Sequence, residues 1–76
     1  MPHVIVKLYA GRSDEDKRRL AEEVTRALTA ALKCREDIIS VGIEDYAPAD
    51  WAKSVYVPDI IEKPETIFKK PGYDPR

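Results

Sequence analysis

Hydrophobic and polar positions alternate along the opening of the chain. From His3 to Tyr9, Val4, Val6 and Leu8 fall on one side of an extended backbone and His3, Ile5, Lys7 and Tyr9 on the other. This predicts a first strand, and Ile5 and Tyr9 require cover on its second face. Ala10-Gly11-Arg12 then reads as a turn. The period changes to helical from Asp14 to about Leu32, with Leu20, Val24, Ala27, Leu28 and Ala31 on one stripe and Arg18, Glu22 and Arg26 on a solvated side. Ser13 stands at the N-cap, Asp16 takes the capping-box position, and Asp14, Glu15 and Asp16 complement the positive helix end. Glu15–Arg19 and Glu22–Arg26 have the favourable i,i+4 order, and Lys33 and Arg35 follow near the negative end.

Alternation returns between Ile38 and Asp45, with Ile39, Val41 and Ile43 on one face and Ile38, Ser40, Gly42 and Glu44 on the other. Strand, long helix, strand predicts a βαβ unit with parallel strands and a right-handed crossover. The fold class is therefore α+β. One helix covers one face of so small a sheet, and a second copy is expected to complete the other face or extend its edges.

After Tyr46, Pro48, Pro58, Pro64 and Pro71 divide the chain into short pieces. Pro48 to Trp51 reads as a turn or a single helical turn, and Ser54 to Val57 as a short strand. Pro64 fits the first position of a short helix through Glu65, Ile67 and Phe68 to Lys70, stopped by Pro71-Gly72. Trp51, Tyr56, Ile60, Ile61, Ile67, Phe68 and Tyr73 make this segment too apolar for disorder. It is expected to be an arm that packs on the body or on a neighbouring subunit. The chain thus reads as one domain over 1–76, with a βαβ core over 2–45 and a C-terminal arm over 46–76.

Composition narrows the picture. At 76 residues the core is marginal, yet 43% of the residues are hydrophobic. The single cysteine, Cys34, excludes an internal disulfide, and no Cys/His cluster with zinc-ligand spacing is present, so no metal site is expected. Cys34 reads as a small apolar filler at the helix end. Oligomerisation is the remaining means of stabilisation. The formal charge is −1, from 13 basic and 14 acidic residues interspersed along the chain, which argues against nucleic acid as a partner. No signal-peptide pattern or membrane-length apolar run appears, and a cytoplasmic protein with no membrane partner is the expectation.

The candidate chemistry begins at Pro2. If Met1 is removed, Pro2 carries a free secondary amine; with Met1 in place its nitrogen is an amide without useful basicity. Pro2, the short strand, Gly11-Arg12-Ser13-Asp14-Glu15 followed by Lys17, the long amphipathic helix and the second parallel strand together resemble the 4-oxalocrotonate tautomerase family. Trp51 and the ending Lys69-Lys70-Pro71-Gly72-Tyr73, with Pro2-His3 at the start, resemble its dimeric branch. The resemblance implies a βαβ tautomerase unit (of the MIF/4-oxalocrotonate tautomerase kind) that pairs with a second copy into a four-stranded sheet backed by helices. It implies cofactor-independent keto–enol or double-bond isomerisation of small 2-oxo acids and dienols.

Residue by residue, the resemblance makes Pro2 the catalytic base. An α-amine has a pKa of about 8, and apolar walls and nearby cations lower the basicity of such an amine. Arg12 matches an arginine that holds a substrate carboxylate through its planar fork, against its reading as a solvated loop arginine. Trp51 matches an aromatic wall, a role compatible with a place in a dimer interface. Ser40 departs from the pattern: better-known members carry a second arginine there. A neutral hydroxyl favours a monocarboxylate, phenylpyruvate-like enol over a dicarboxylate such as 2-hydroxymuconate. His3 reads as a surface or interface histidine. The expected partners are a small 2-oxo acid enol and a second copy of the chain. Two alternatives stand beside the tautomerase: a hydratase or dehalogenase of unsaturated acids using Pro2 with Glu44 or Asp45, and a non-catalytic dimeric binding module.

Overall fold

The computed structural model describes all residues from Met1 to Arg76, and the chain divides into two compact units, Met1–Asp45 and Tyr46–Arg76. The first contains strand β1 (His3–Tyr9), helix α1 (Asp14–Leu32), a 3-10 turn (Glu36–Ile38) and strand β2, Ser40–Tyr46. The two parallel strands form one sheet in the order β1-β2, and α1 is the crossover. The second strand starts two residues later than its alternation predicts. Glu36–Ile38 closes a 3-10 turn, with Ile39 N–H on the Glu36 carbonyl at 3.1 Å, and only then does the backbone extend.

Register follows from one bond. Ser40 N–H donates to the Pro2 carbonyl at 3.2 Å, which in a parallel ladder sets Ser40 opposite His3. Carried along the strands, this offset places Gly42 opposite Ile5 and Glu44 opposite Lys7 on the face away from α1.

Local chemistry explains α1. The Ser13 hydroxyl accepts from Asp16 N–H at 3.1 Å, and three acids occupy the first turn. The helix ends at Lys33, which adopts a left-handed φ of 54° and sends its N–H to the Thr29 carbonyl at 3.0 Å. The surface ion pairs form at i,i+3 spacing, Asp16–Arg19 at 3.5 Å and Glu23–Arg26, and not at the i,i+4 positions the sequence offers. The helix ends before Lys33 and Arg35, so no basic side chain lies in its last turn, and Arg35 pairs with Asp37 at 3.1 Å.

The covered stripe is also rotated from the expected one. Lys17, Leu20, Ala21, Val24, Thr25 and Leu28 are half-buried, whereas Ala27 and Ala31 are exposed. A two-stranded sheet is too narrow to cover the whole apolar arc, and the alanine flank is left over. No residue between Met1 and Asp45 is buried, and on the sheet's open face Ile5 remains 50% and Tyr9 47% exposed.

The second unit holds the chain's buried core residues, Trp51, Val55 and Tyr56, with Tyr46, Val57 and Ile60 packed against them. A 3-10 turn, Pro48–Asp50, leads into a π-helical segment, Ala52–Ile61. The expected strand at Ser54–Val57 is not formed. Consecutive Val55 and Tyr56 are both buried, and a strand would send them to opposite faces. Pro58 inside the segment supplies no N–H, and the wide register ends with Glu62 N–H on the Val57 carbonyl at 3.0 Å. The last predicted helix is reduced to a 3-10 turn, Pro64–Thr66. Aromatic contacts hold the unit: Tyr46 meets Trp51 edge-on at 6.3 Å, Tyr56 lies 5.9 Å from Tyr73, and Arg76 sits over the Tyr56 ring at 5.2 Å. No helix in the chain is long and apolar enough to cross a membrane.

Candidate active site

Pro2 occupies the residue before β1, half-buried, with its carbonyl held by Ser40 N–H at 3.2 Å. That bond ties the residue before β1 to the start of β2. The preceding Met1 is fully exposed and packs against nothing.

Ser40 begins β2 beside it. Its hydroxyl is not free: Oγ lies 2.6 Å from Nδ1 of His3. Alternation alone assigns both residues to the outward face and names no partner for either. The pairing needs the register, because parallel strands that start together bring residues 37 apart into line. At this end of the sheet the structure therefore brings together Pro2, His3 and Ser40.

Arg12 lies elsewhere. It follows Gly11, whose φ of 125° is open to glycine and strained for other residues, so the turn depends on that one position. The turn delivers Arg12 to the far end of β1, where it lines a cleft of about 630 Å³ with Leu8, Asp16, Lys17, Leu20 and Glu23. The charges around it are matched among themselves. Asp16 pairs with Arg19, Glu23 with Arg26, and Lys17 with Asp45 at 2.5 Å. Arg12 is exposed and has no ion-pair partner in its own chain. Its guanidinium is thus the unspent positive charge of the cleft, free to take an anion.

Seven residues of β1 at roughly 3.3 Å each separate the two ends by about 23 Å. An arginine side chain cannot span that length. Within one chain, Pro2 and Arg12 do not meet.

Trp51 belongs to the second unit, where it is 9% exposed and its indole N–H donates to Tyr73 Oη at 2.9 Å. Its place among apolar residues was legible from the chain; that its polar edge is already satisfied was not. Of the carboxylates considered for water activation, Asp45 is bound by Lys17. Glu44 stands beside it near the end of β2.

The chain is similar to known proteins in sequence and in fold. Residues 2–57 match the model of the tautomerase enzyme family. A probable tautomerase from Xylella fastidiosa (strain 9a5c) is 40% identical over 73 residues, 96% of this chain and 89% of that protein. Tautomerase PptA of Cronobacter sakazakii (strain ATCC BAA-894) is 32% identical over 97% of this chain and 99% of its own length. Among solved structures, YwhB, a homologue of 4-oxalocrotonate tautomerase, superposes with a TM-score of 0.60 at 42% identity, covering 62% of this chain and 77% of that one. TomN, a homologue from the tomaymycin biosynthetic pathway, reaches 0.64 at 26% identity over 86% of this chain and 97% of its own. With the βαβ unit, the leading proline and relatives matched along nearly their full length, this chain belongs to the tautomerase family and is an isomerase of its PptA-like branch.

Proposed function

We propose that the protein is a cofactor-independent keto–enol tautomerase of small 2-oxo acid enols, phenylpyruvate-like in charge, that works as a homodimer with Pro2 as its proton-shuttling base. The separation of Pro2 from Arg12 along β1 carries this reading. A base at one end of the strand and an unpaired carboxylate anchor at the other form one site only when a second chain, running the opposite way, lays its Arg12 beside the first chain's Pro2.

The open face of the sheet supports the same arrangement. Ile5 and Tyr9 keep about half their surface in water, and no side chain of the βαβ unit is buried. Completing the burial of an aliphatic side chain contributes up to about 1.5–3 kcal/mol, so a second copy supplies what the single unit lacks. Trp51 and the apolar residues of the second unit are assigned to the subunit contact or to the rim of the pocket.

In the reaction the Pro2 amine takes a proton from the enol and returns it to carbon, while Arg12 holds the carboxylate bidentately and draws electron density towards it. Ser40 in place of a cation suits a monocarboxylate. A hydration reading would need a carboxylate to activate water, and Asp45 is already committed to Lys17.

The amine exists only after Met1 is removed, and the exposure of Met1 leaves the Met1–Pro2 bond open to an aminopeptidase. Intact-mass measurement of the active protein should show a chain beginning at Pro2. A chain extended by one residue that is not removed should lose at least a hundredfold in kcat on an arylpyruvate enol, the range for a positioned base. Full activity in the blocked chain would overturn the assignment.

A further inference from the structure

The contact between His3 and Ser40 has no role in the fold that other bonds do not already fill. Both side chains are exposed, the strands are registered by the backbone bond from Ser40 to Pro2, and neither ring nor hydroxyl packs an apolar neighbour into a core. Yet Nδ1 and Oγ approach to 2.6 Å, one peptide unit from the Pro2 nitrogen.

A serine hydroxyl has one proton to give and two lone pairs with which to accept. If neutral His3 accepts at Nδ1, the serine proton is consumed in the pair. If Nδ1 carries the proton, it donates to Ser40 Oγ, and the serine proton is released to point elsewhere. At this end of the sheet the group that needs a donor is the oxygen of the reacting enol, which carries negative charge while the proton is between oxygen and carbon.

We propose that His3 is a positioning residue for the tautomerase site: its Nδ1–H donates to Ser40 Oγ, and the Ser40 hydroxyl donates in turn to the enolate oxygen of the substrate bound at Pro2. Ser40 then replaces a cation with a backed neutral donor. The proton is shared with the enolate and not transferred, so Pro2 remains the only group that exchanges a proton with carbon. This role rests on the reading of Pro2 as the base.

His3 is the only histidine in the chain, which makes its ring directly observable. Nitrogen-15 NMR of the mature protein at a pH where the ring is neutral should show Nδ1 protonated, with that tautomer preference lost in Ser40→Ala. A ring protonated at Nε2, with Nδ1 accepting, would overturn the proposal. In kinetics on an arylpyruvate enol, Ser40→Ala should lower kcat about five- to tenfold with little change in KM, as for a neutral hydrogen bond made in the transition state. His3→Leu should match it, the double variant should be no worse than either single one, and His3→Asn, whose amide can still donate near the Nδ1 position, should recover most of the rate. Multiplying effects, or an unchanged kcat in His3→Leu, would overturn it. Pro2→Ala run in parallel separates the two readings. If it loses activity while His3→Leu does not, only the His3 role fails; if it keeps full activity, the base assignment fails.

Discussion

The Lys17 ammonium lies 2.5 Å from the Asp45 carboxylate and ties the first turns of α1 to the end of β2. The side chains are 21% and 37% exposed, so the pair is screened less than a fully solvated one. A surface ion pair contributes about 0–1 kcal/mol and a charged hydrogen bond about 1.5–3. Lys17→Ala and Asp45→Ala should each cost about 1 kcal/mol in denaturant unfolding at fixed chain concentration. The double variant should cost clearly less than the sum, because either single change already removes the contact. Additive losses would show that the two residues act separately.

At Gly11 an added Cβ meets nothing within 4 Å, so sterics with neighbours do not forbid a side chain there. The φ of 125° does the forbidding. Gly11→Ala should therefore cost about 1–3 kcal/mol of backbone strain and raise KM through displacement of Arg12. Lys33 presents the opposite case, a non-glycine residue at φ 54°. Lys33→Gly should stabilise the chain by about 1 kcal/mol, the typical penalty of the left-handed region for a side chain. Thermal unfolding of the two variants should shift in opposite directions.

Both β1 and α1 were legible to the residue because local chemistry and pattern agree there. Alternation ends at Tyr9, and Ser13 caps the helix that begins at Asp14. The middle of the second unit was not legible. Val55 and Val57 favour a strand by propensity, but burial of adjacent Val55 and Tyr56 around Trp51 requires a helical turn, and tertiary contact overrode the local preference. Of the candidate site, Pro2, Arg12, Ser40 and Trp51 were named from the chain, whereas His3 was read as a surface or interface residue, and no residue's neighbours could be read. His3 and Ser40 meet through strand register, and Lys17 and Asp45 through the packing of helix on sheet. Neither relation is written in local spacing.

The chain end offers a pH test. Arg76 donates to both carboxylate oxygens of Asp74, at 3.1 Å each, and its backbone N–H adds a bond at 2.9 Å. Hydrogen bonding from Arg76 holds the Asp74 carboxyl below the ordinary aspartate value of 3.8. A depressed folded-state value contributes ordering that is present above the unfolded pKa and lost as pH falls through the folded one. The Asp74 carboxyl resonance should titrate at lower pH than a free aspartate, and Arg76→Ala, which removes the side-chain bonds and keeps the backbone N–H, should raise its midpoint towards the ordinary range. An unchanged midpoint in the variant would remove the assigned cause.

The two ends of β1 make the strongest prediction about assembly. Pro2→Ala should slow kcat at least a hundredfold, as for a lost base, with allowance for residual activity from the new primary amine. Arg12→Ala should lower kcat/KM about ten- to a hundredfold, from the loss of roughly 1.5–3 kcal/mol of charged hydrogen bonding. The loss should fall mainly on KM if the anchor holds ground and transition states alike. Neither variant has a complete site, yet a mixed dimer has one. Its intact Pro2 faces the partner chain's intact Arg12, while the other site carries both lesions. With random exchange half the dimers are mixed, each with one of two sites working, so co-refolded variants should recover about a quarter of the parent activity. If each site drew both residues from one chain, no mixture would exceed the average of its components. Failure to recover activity in a mixture shown by mass spectrometry to contain mixed dimers would place Pro2 and Arg12 in separate functions and remove the carboxylate anchor from this reading.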